Sequence, residues 1–269
     1  MNFDEYLQQA NESAALTIDS GWAQGNTTFG GLSAALLLQH LQNKFQLEQT
    51  LRSLSVNFCG ALHTEQPASL SASTLRQGRS IGHYQAIATQ NDEIVTLINA
   101  CFAKGRESNI EVEEPRITPP EAGEGKRIPY IKGMSPEFTR HIDFAYVSGG
   151  MPFTNSKDNH VHGWMRFKES AGHLTNPHLV ALIDSWPPTI IQKIKGFAPC
   201  ATVSWNLELI TPLDQLEQPI SADDWLWYEA EIRQAHDGYG HTEARIYTKE
   251  GIPLALSRQL VVAYDKKQS

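Results

Sequence analysis

The 269-residue chain has only 3 cysteines, Cys59, Cys101 and Cys200. Their number is odd, their spacing is wide, and no C-x-x-C pair occurs. That excludes a disulfide scaffold and a zinc or dithiol motif. Their apolar neighbours predict small buried thiols in a reducing cytoplasm. Long apolar runs are also missing: the longest, Ala34 to Leu38, falls far short of the roughly 20 residues of a bilayer span. The acidic, polar start Met-Asn-Phe-Asp-Glu-Tyr carries no readable signal peptide. Positive charge is scarce, with 22 Lys and Arg against 30 Asp and Glu and a net charge of -8. A general nucleic-acid binder is excluded on that balance, because phosphate contacts draw on Lys and Arg. A small phosphorylated ligand held by one or two local arginines is not. No nucleotide, haem or flavin motif is present, so no cofactor is implied. His160-x-His162 lacks a third ligand at a readable spacing, so no metal site is expected.

What is present is an ordinary globular composition with apolar material for a sizeable core. Phe3 to Ala10 has the pattern of a short helix, followed by a brief strand from Leu16 to Trp22. Leu32, Ala35, Leu36, Leu38 and Leu41, with Ala34 and Leu37 between them, make a run apolar nearly all round. A helix of that kind is buried. From Ser53 the period changes to two, predicting strands at 53–58, 69–75, 82–89 and 94–102. Pro115, Pro119, Pro120 and Pro129 mark the stretch from Glu107 to Gly133 as an extended surface linker.

The second part repeats the order of the first. Strands are expected at 141–146 and 161–168, and a helix from Asn176 to Trp186 with Asn176 as N-cap and Pro177 in the first turn. Further strands are expected at 202–209, 225–233, 240–247 and 254–263. Leu75-Arg76-Gln77 matches Ile232-Arg233-Gln234, and Ile81-Gly82-His83 matches Tyr239-Gly240-His241. At the same offset Ala86 meets Ala244, Ile94 meets Ile252, and Cys101 meets Gln259; Ser55 meets Ser204. Two copies of helix plus antiparallel sheet imply a pseudo-dimer within one α+β chain. Residues 1–110 and 136–269 form its halves, and 111–135 join them.

Trp22-x-x-Gly25-x-x-x-Phe29-Gly30-Gly31, Ser53-x-Ser-Val-Asn-Phe58, Arg76-x-Gly78-Arg79-Ser80 and Gln90 resemble the first half of the TesB-like acyl-CoA thioesterases. Asp184-Ser-x-Pro-Pro188, Thr202-Val-Ser-Trp205, Trp225-Leu-x-Tyr228, Gly238-Tyr239, Gly251 and Ser257-Arg-Gln259 resemble the second. The likeness spans nearly the whole chain apart from the linker and residues 147–175. It implies a double hotdog fold, in which each half wraps a curved antiparallel sheet around a long helix. It also implies hydrolysis of acyl-CoA to free acid and CoA, and a homo-oligomer.

Thioester hydrolysis needs an activated water or attacking carboxylate, donors for the carbonyl oxygen, and cations for the CoA phosphates. Asp184 is the candidate base, a carboxylate inside an apolar helix whose counterpart in the first half is near Leu37; the alternative is a helix-end carboxylate facing solvent. Gln259 matches the glutamine of the family's Asp/Thr/Gln site, and its amide can donate to a carbonyl and accept from a water. Ser204 aligns with the family's strand aspartate, and Arg233 or Gln234 falls near its threonine, so both positions depart from the pattern. Asn206, on the same strand face as Ser204, is a candidate for orienting water. Gly30 and Gly31 read either as an oxyanion hole or CoA contact at a helix start, or as tight packing. Arg79 and Ser80 read either as a phosphate contact or as a plain hairpin. Two other classes stay open: a non-catalytic acyl-CoA-binding protein, and an R-specific enoyl-CoA hydratase. The hydratase is disfavoured because His173-Leu-Thr-Asn-Pro-His178 lacks an Asp two residues before its Asn-Pro.

Overall fold

The computed structural model describes residues 1–265. Its three α-helices are α1 (Phe3–Glu12), α2 (Gly30–Phe45) and α3 (Asn176–Asp184). The first-half strands are β1 (Ala15–Thr17), β2 (Ala23–Gln24), β3 (Thr27–Thr28), β4 (Thr50–Phe58), β5 (Pro67–Gln77), β6 (Ile81–Gln90) and β7 (Glu93–Ala103). The others are β8 (Lys126–Arg127), β9 (Ile142–Gly149), β10 (His160–Phe167), β11 (Cys200–Leu209), β12 (Leu226–His236), β13 (Tyr239–Tyr247) and β14 (Pro253–Ala263). Twelve of these strands form one antiparallel sheet, in the order β1-β5-β6-β7-β4-β11-β14-β13-β12-β10-β9-β8, while β2 and β3 pair with each other.

The sheet is joined in the middle by β4 and β11, which pair from Ser53–Glu208 to Asn57–Ser204. On either side the neighbours come in matching order, β7, β6 and β5 on one flank and β14, β13 and β12 on the other. Strand alternation sends Leu54, Val56, Ile98, Ala100, Trp205 and Leu207 to one face, where all are buried. α2 and α3 lie there. α2 buries nine residues from Gly31 to Leu41, as its all-round apolar pattern requires. It packs against β5, β6, β7 and α3. The start of α2 meets the end of α3: a Cβ on Gly31 would stand 2.8 Å from the Ala181 carbonyl oxygen. Only glycine permits that approach.

α1 is tied to the second half. Asp4 accepts from the buried His178 ring (Nε2, 2.8 Å) and from Ser170 Oγ at 3.0 Å. The N-cap of α3 is Thr175 rather than Asn176, because His178 three residues on closes a capping box with it. The segment expected to be an extended surface linker is partly built into the sheet. Lys126–Arg127 form its last strand against β9, and the Ile117 N–H donates to Gly251. The Arg127 and Arg166 guanidinium groups both sit over the Trp225 ring, at 4.4 and 4.5 Å. Trp205, Trp225 and Trp227 are all buried by such internal packing. The expectation of three buried thiols fails at Cys59, which is exposed where β4 ends; Cys101 and Cys200 are half-buried.

Candidate active site

Beyond Asn57 and Ser204 the two central strands part. Phe58 to Leu62 turn one way and Cys200 to Val203 the other, leaving a slot of about 480 Å³ through the sheet. Its floor is Asp184, the last residue of α3, and its walls include Trp186, Phe58, Gln259 and Thr202. Trp186 is rigidly bedded: its ring stacks on Tyr228 at 5.2 Å and its Nε1–H points at Met165 Sδ.

Asp184 is placed there because Pro187 and Pro188 stop the helix just past it, and because the chain leaves α3 at the start of α2. Its carboxylate has protein on every side except the slot. Gln259 Nε2 donates to Oδ1 at 2.8 Å. The Gly31 N–H, one of the donors left free at a helix start, also bonds it. Burial pushes the Asp184 carboxyl up to about 7, against the opposing pull of the Gln259 and Gly31 donors. A Cβ on Gly30 would lie 2.9 Å from Asp184 Oδ2, so the glycine clears room for that oxygen. Gly30 also faces the slot, and its N–H has no partner among the described residues.

The structure thus brings together Asp184, Gln259, Gly30 and Gly31. It does not bring Ser204 and Asn206 to them. β11 carries a bulge at Val203, between the pairs Thr202–Val261 and Ser204–Leu260. The bulge resets the alternation, so Thr202 shares the slot with Gln259 while Ser204 and Asn206 point to the opposite face. There Asn206 lies opposite Arg258 and Ser55. Arg79 and Ser80 are exposed in the β5–β6 turn, which lies beside Thr50 through the pairings of Ala103. Phe58, at the slot, is eight residues along β4 from Thr50, roughly 26 Å away at strand spacing. Neither residue reaches the slot. Arg233 is spent on Glu231 and Glu243. Cys101 faces Ser53 and His83 on the far side of the sheet, whereas Gln259 faces Trp205 and Thr242 on the helix side. Their equation is therefore off by one residue. Thr202 is the functional candidate that strand alternation missed. A bulge leaves no mark in that pattern, although the motif Thr-Val-Ser-Trp did single out the segment.

Residues 18–103 match the acyl-CoA thioesterase N-terminal domain and residues 113–263 the acyl-CoA thioesterase C-terminal domain. No curated protein matches the sequence at a significant level. Among solved structures, a hot dog fold protein from Alicyclobacillus acidocaldarius aligns at 23% identity and a TM-score of 0.79, covering 94% of this chain and 93% of that one. The tesB protein of Mycobacterium avium subs paratuberculosis aligns at 14% and 0.74, covering 96% and 98%. An acyl-CoA thioesterase II from Mycobacterium marinum aligns at 15% and 0.70, covering 97% and 99%. These likenesses give the fold as a hotdog. With both domain families matched in order along it, the chain belongs to the acyl-CoA thioesterase family and is a thioester hydrolase.

Proposed function

We propose that the slot hydrolyses acyl-CoA with Asp184 as general base for water. The observation that carries this reading is a buried carboxylate at the floor of an opening in the sheet, held by Gln259 and by a helix start, with burial pushing it up to about 7. Ionised Asp184 takes a proton from a water that Gln259 Oε1 and the Thr202 hydroxyl orient. The water oxygen bonds to the thioester carbon, and the carbonyl oxygen gathers negative charge. The Gly30 N–H, at the positive end of α2, faces that charge. Collapse of the intermediate breaks the C–S bond, and the proton on Asp184 goes to the departing CoA sulfur. Trp186 and Phe58 supply an apolar wall for the acyl group.

On this reading the two halves, residues 1–110 and 136–269 joined by 111–135, are two hotdog units sharing one sheet, with one catalytic set between them. The matching order of strands about the β4–β11 seam supports it. We place the enzyme in the cytoplasm as a homo-oligomer, to be checked by sedimentation. No described helix is long and apolar enough to cross a membrane.

The test is thiol release from a panel of acyl-CoAs, from short to long and aryl. Release by the wild type, lost in Asp184→Ala and strongly reduced in Gln259→Ala, is expected. Unaltered turnover in Asp184→Ala would overturn the mechanism. No release from any thioester, with acyl-CoA still bound in calorimetry, would make the chain a binding protein.

A further inference from the structure

A second group of unused residues borders the slot. Between Pro188 and Cys200, both of which line it, the chain makes a 3-10 turn (Thr189–Lys193) and a loop ending at Pro199. Phe197 stands in this loop with 84% of its surface exposed, among the highest of any large apolar residue described. It is three residues from Cys200, so about 10 Å of chain separates it from the slot. Its ring lies 5.4 Å from that of Phe153, tilted by 51°. Phe153 holds a left-handed backbone, φ 63°, which a bulky side chain adopts only when its surroundings impose it. Bonds from the Phe153 N–H to Ile191 and from the Gly196 N–H to Phe153 impose it here.

Three lysines lie on the same two chain segments as this pair. Thr154 bridges to Lys195, and Lys193 Nζ donates to the Lys157 carbonyl at 2.8 Å. None of Lys157, Lys193 and Lys195 forms an ion pair among the described residues. The one carboxylate beside them in sequence, Asp158, accepts from Ser156 Oγ. On a chain of net charge -8, three lysines without an ion pair beside the exposed Phe197 and the half-buried Phe153 have to be explained. Phosphate and a flat heterocycle are the chemistry such a group recognises.

We propose that this loop binds the nucleotide end of CoA, with the adenine on Phe197 and the phosphates on Lys193, Lys195 and Lys157. The proposal rests on the thioesterase reading, because the pantetheine arm then runs from this loop past Cys200 into the slot. It also sets specificity: a thioester on a bare pantetheine arm reaches Asp184 but forgoes this anchor.

The experiment compares kcat/KM for acyl-CoA, its 3′-dephospho form and the matching acyl-pantetheine. The preference of the wild type for acyl-CoA over acyl-pantetheine is expected to fall at least tenfold in Lys193→Gln/Lys195→Gln, through KM. It should also shrink with added salt. Phe197→Ala should lose about tenfold on both nucleotide thioesters. The control Lys104→Gln/Arg106→Gln, which also removes two charges and lies past the far end of β7, should keep the preference. Calorimetry of free CoA with Asp184→Asn protein reads the same anchor without turnover. Weaker CoA binding in the lysine variant supports the site even if no thioester is cleaved. An unchanged preference and unchanged CoA affinity in both variants would overturn it. So would a lysine effect confined to thioesters carried on an acidic carrier protein.

Discussion

Gln259 Nε2 lies 2.8 Å from Asp184 Oδ1, tying β14 to the last residue of α3. The bond favours the ionised carboxylate, while burial favours the neutral acid, and burial is the stronger. Activity that needs ionised Asp184 should therefore rise with pH and reach half its maximum near 7.

In Gln259→Leu one of the two opposing donors is gone, so the carboxyl moves further up. The acid limb of the kcat/KM profile should shift to higher pH, with the loss at pH 6 greater than that at pH 9. A profile whose acid limb does not move would show that the contact has no hold on the carboxylate.

The same burial makes Asp184 a burden on the fold. In the folded chain burial pushes the group up to about 7; unfolded, it lies near 3.9. Below about pH 4 both states hold the proton and nothing is lost. Between the two values the folded state binds more protons, so stability falls as pH rises, and above 7 the penalty is constant. Asp184→Asn should thus abolish turnover and be stabilised relative to wild type by a margin that grows from pH 4.5 to 8. That margin is bounded at about 4 kcal/mol by the interval between the two values. Melting temperatures across pH read the trend; a constant difference would contradict it.

The bulge at Val203 separates two hydroxyl residues that lie two apart on β11. Thr202→Val should lower kcat roughly tenfold through loss of one hydrogen bond to water. Ser204→Ala should leave kcat within about twofold, since its side chain is on the other face. Reversed magnitudes in steady-state kinetics would mean that the strand is in the wrong phase.

Gly31→Ala places a methyl group against the Ala181 carbonyl, a backbone atom that cannot swing aside. Destabilisation of about 1–3 kcal/mol is expected in urea denaturation. Turnover should fall with it, because the Gly31 N–H is drawn away from Asp184.

The helix of Leu32 to Leu41 and most strands were legible in the sequence, because burial on one or all faces writes a period into it. Asp184 was legible for the same reason, as a charge in a run that otherwise admits none. Thr202 was not, since the phase of β11 depends on one extra residue that the pairing with β14 accommodates. Nor were the positions of Arg79 and Ser80, because a turn motif says what a hairpin needs and nothing about which end of the sheet it occupies. The docking of Lys126–Arg127 on β9 follows from tertiary contacts to Trp225, which composition alone writes off as linker.

The five residue pairs between β4 and β11 have a consequence for control. The carboxylate and the glutamine come from one half of the chain, and the Gly31 N–H that bonds the carboxylate comes from the other. The opening exists only because the seam stops where it does. An agent that pried β4 from β11 would silence the enzyme without touching a catalytic atom, and a substitution that extended the pairing by two residues would close the slot and leave a sealed, inert sheet.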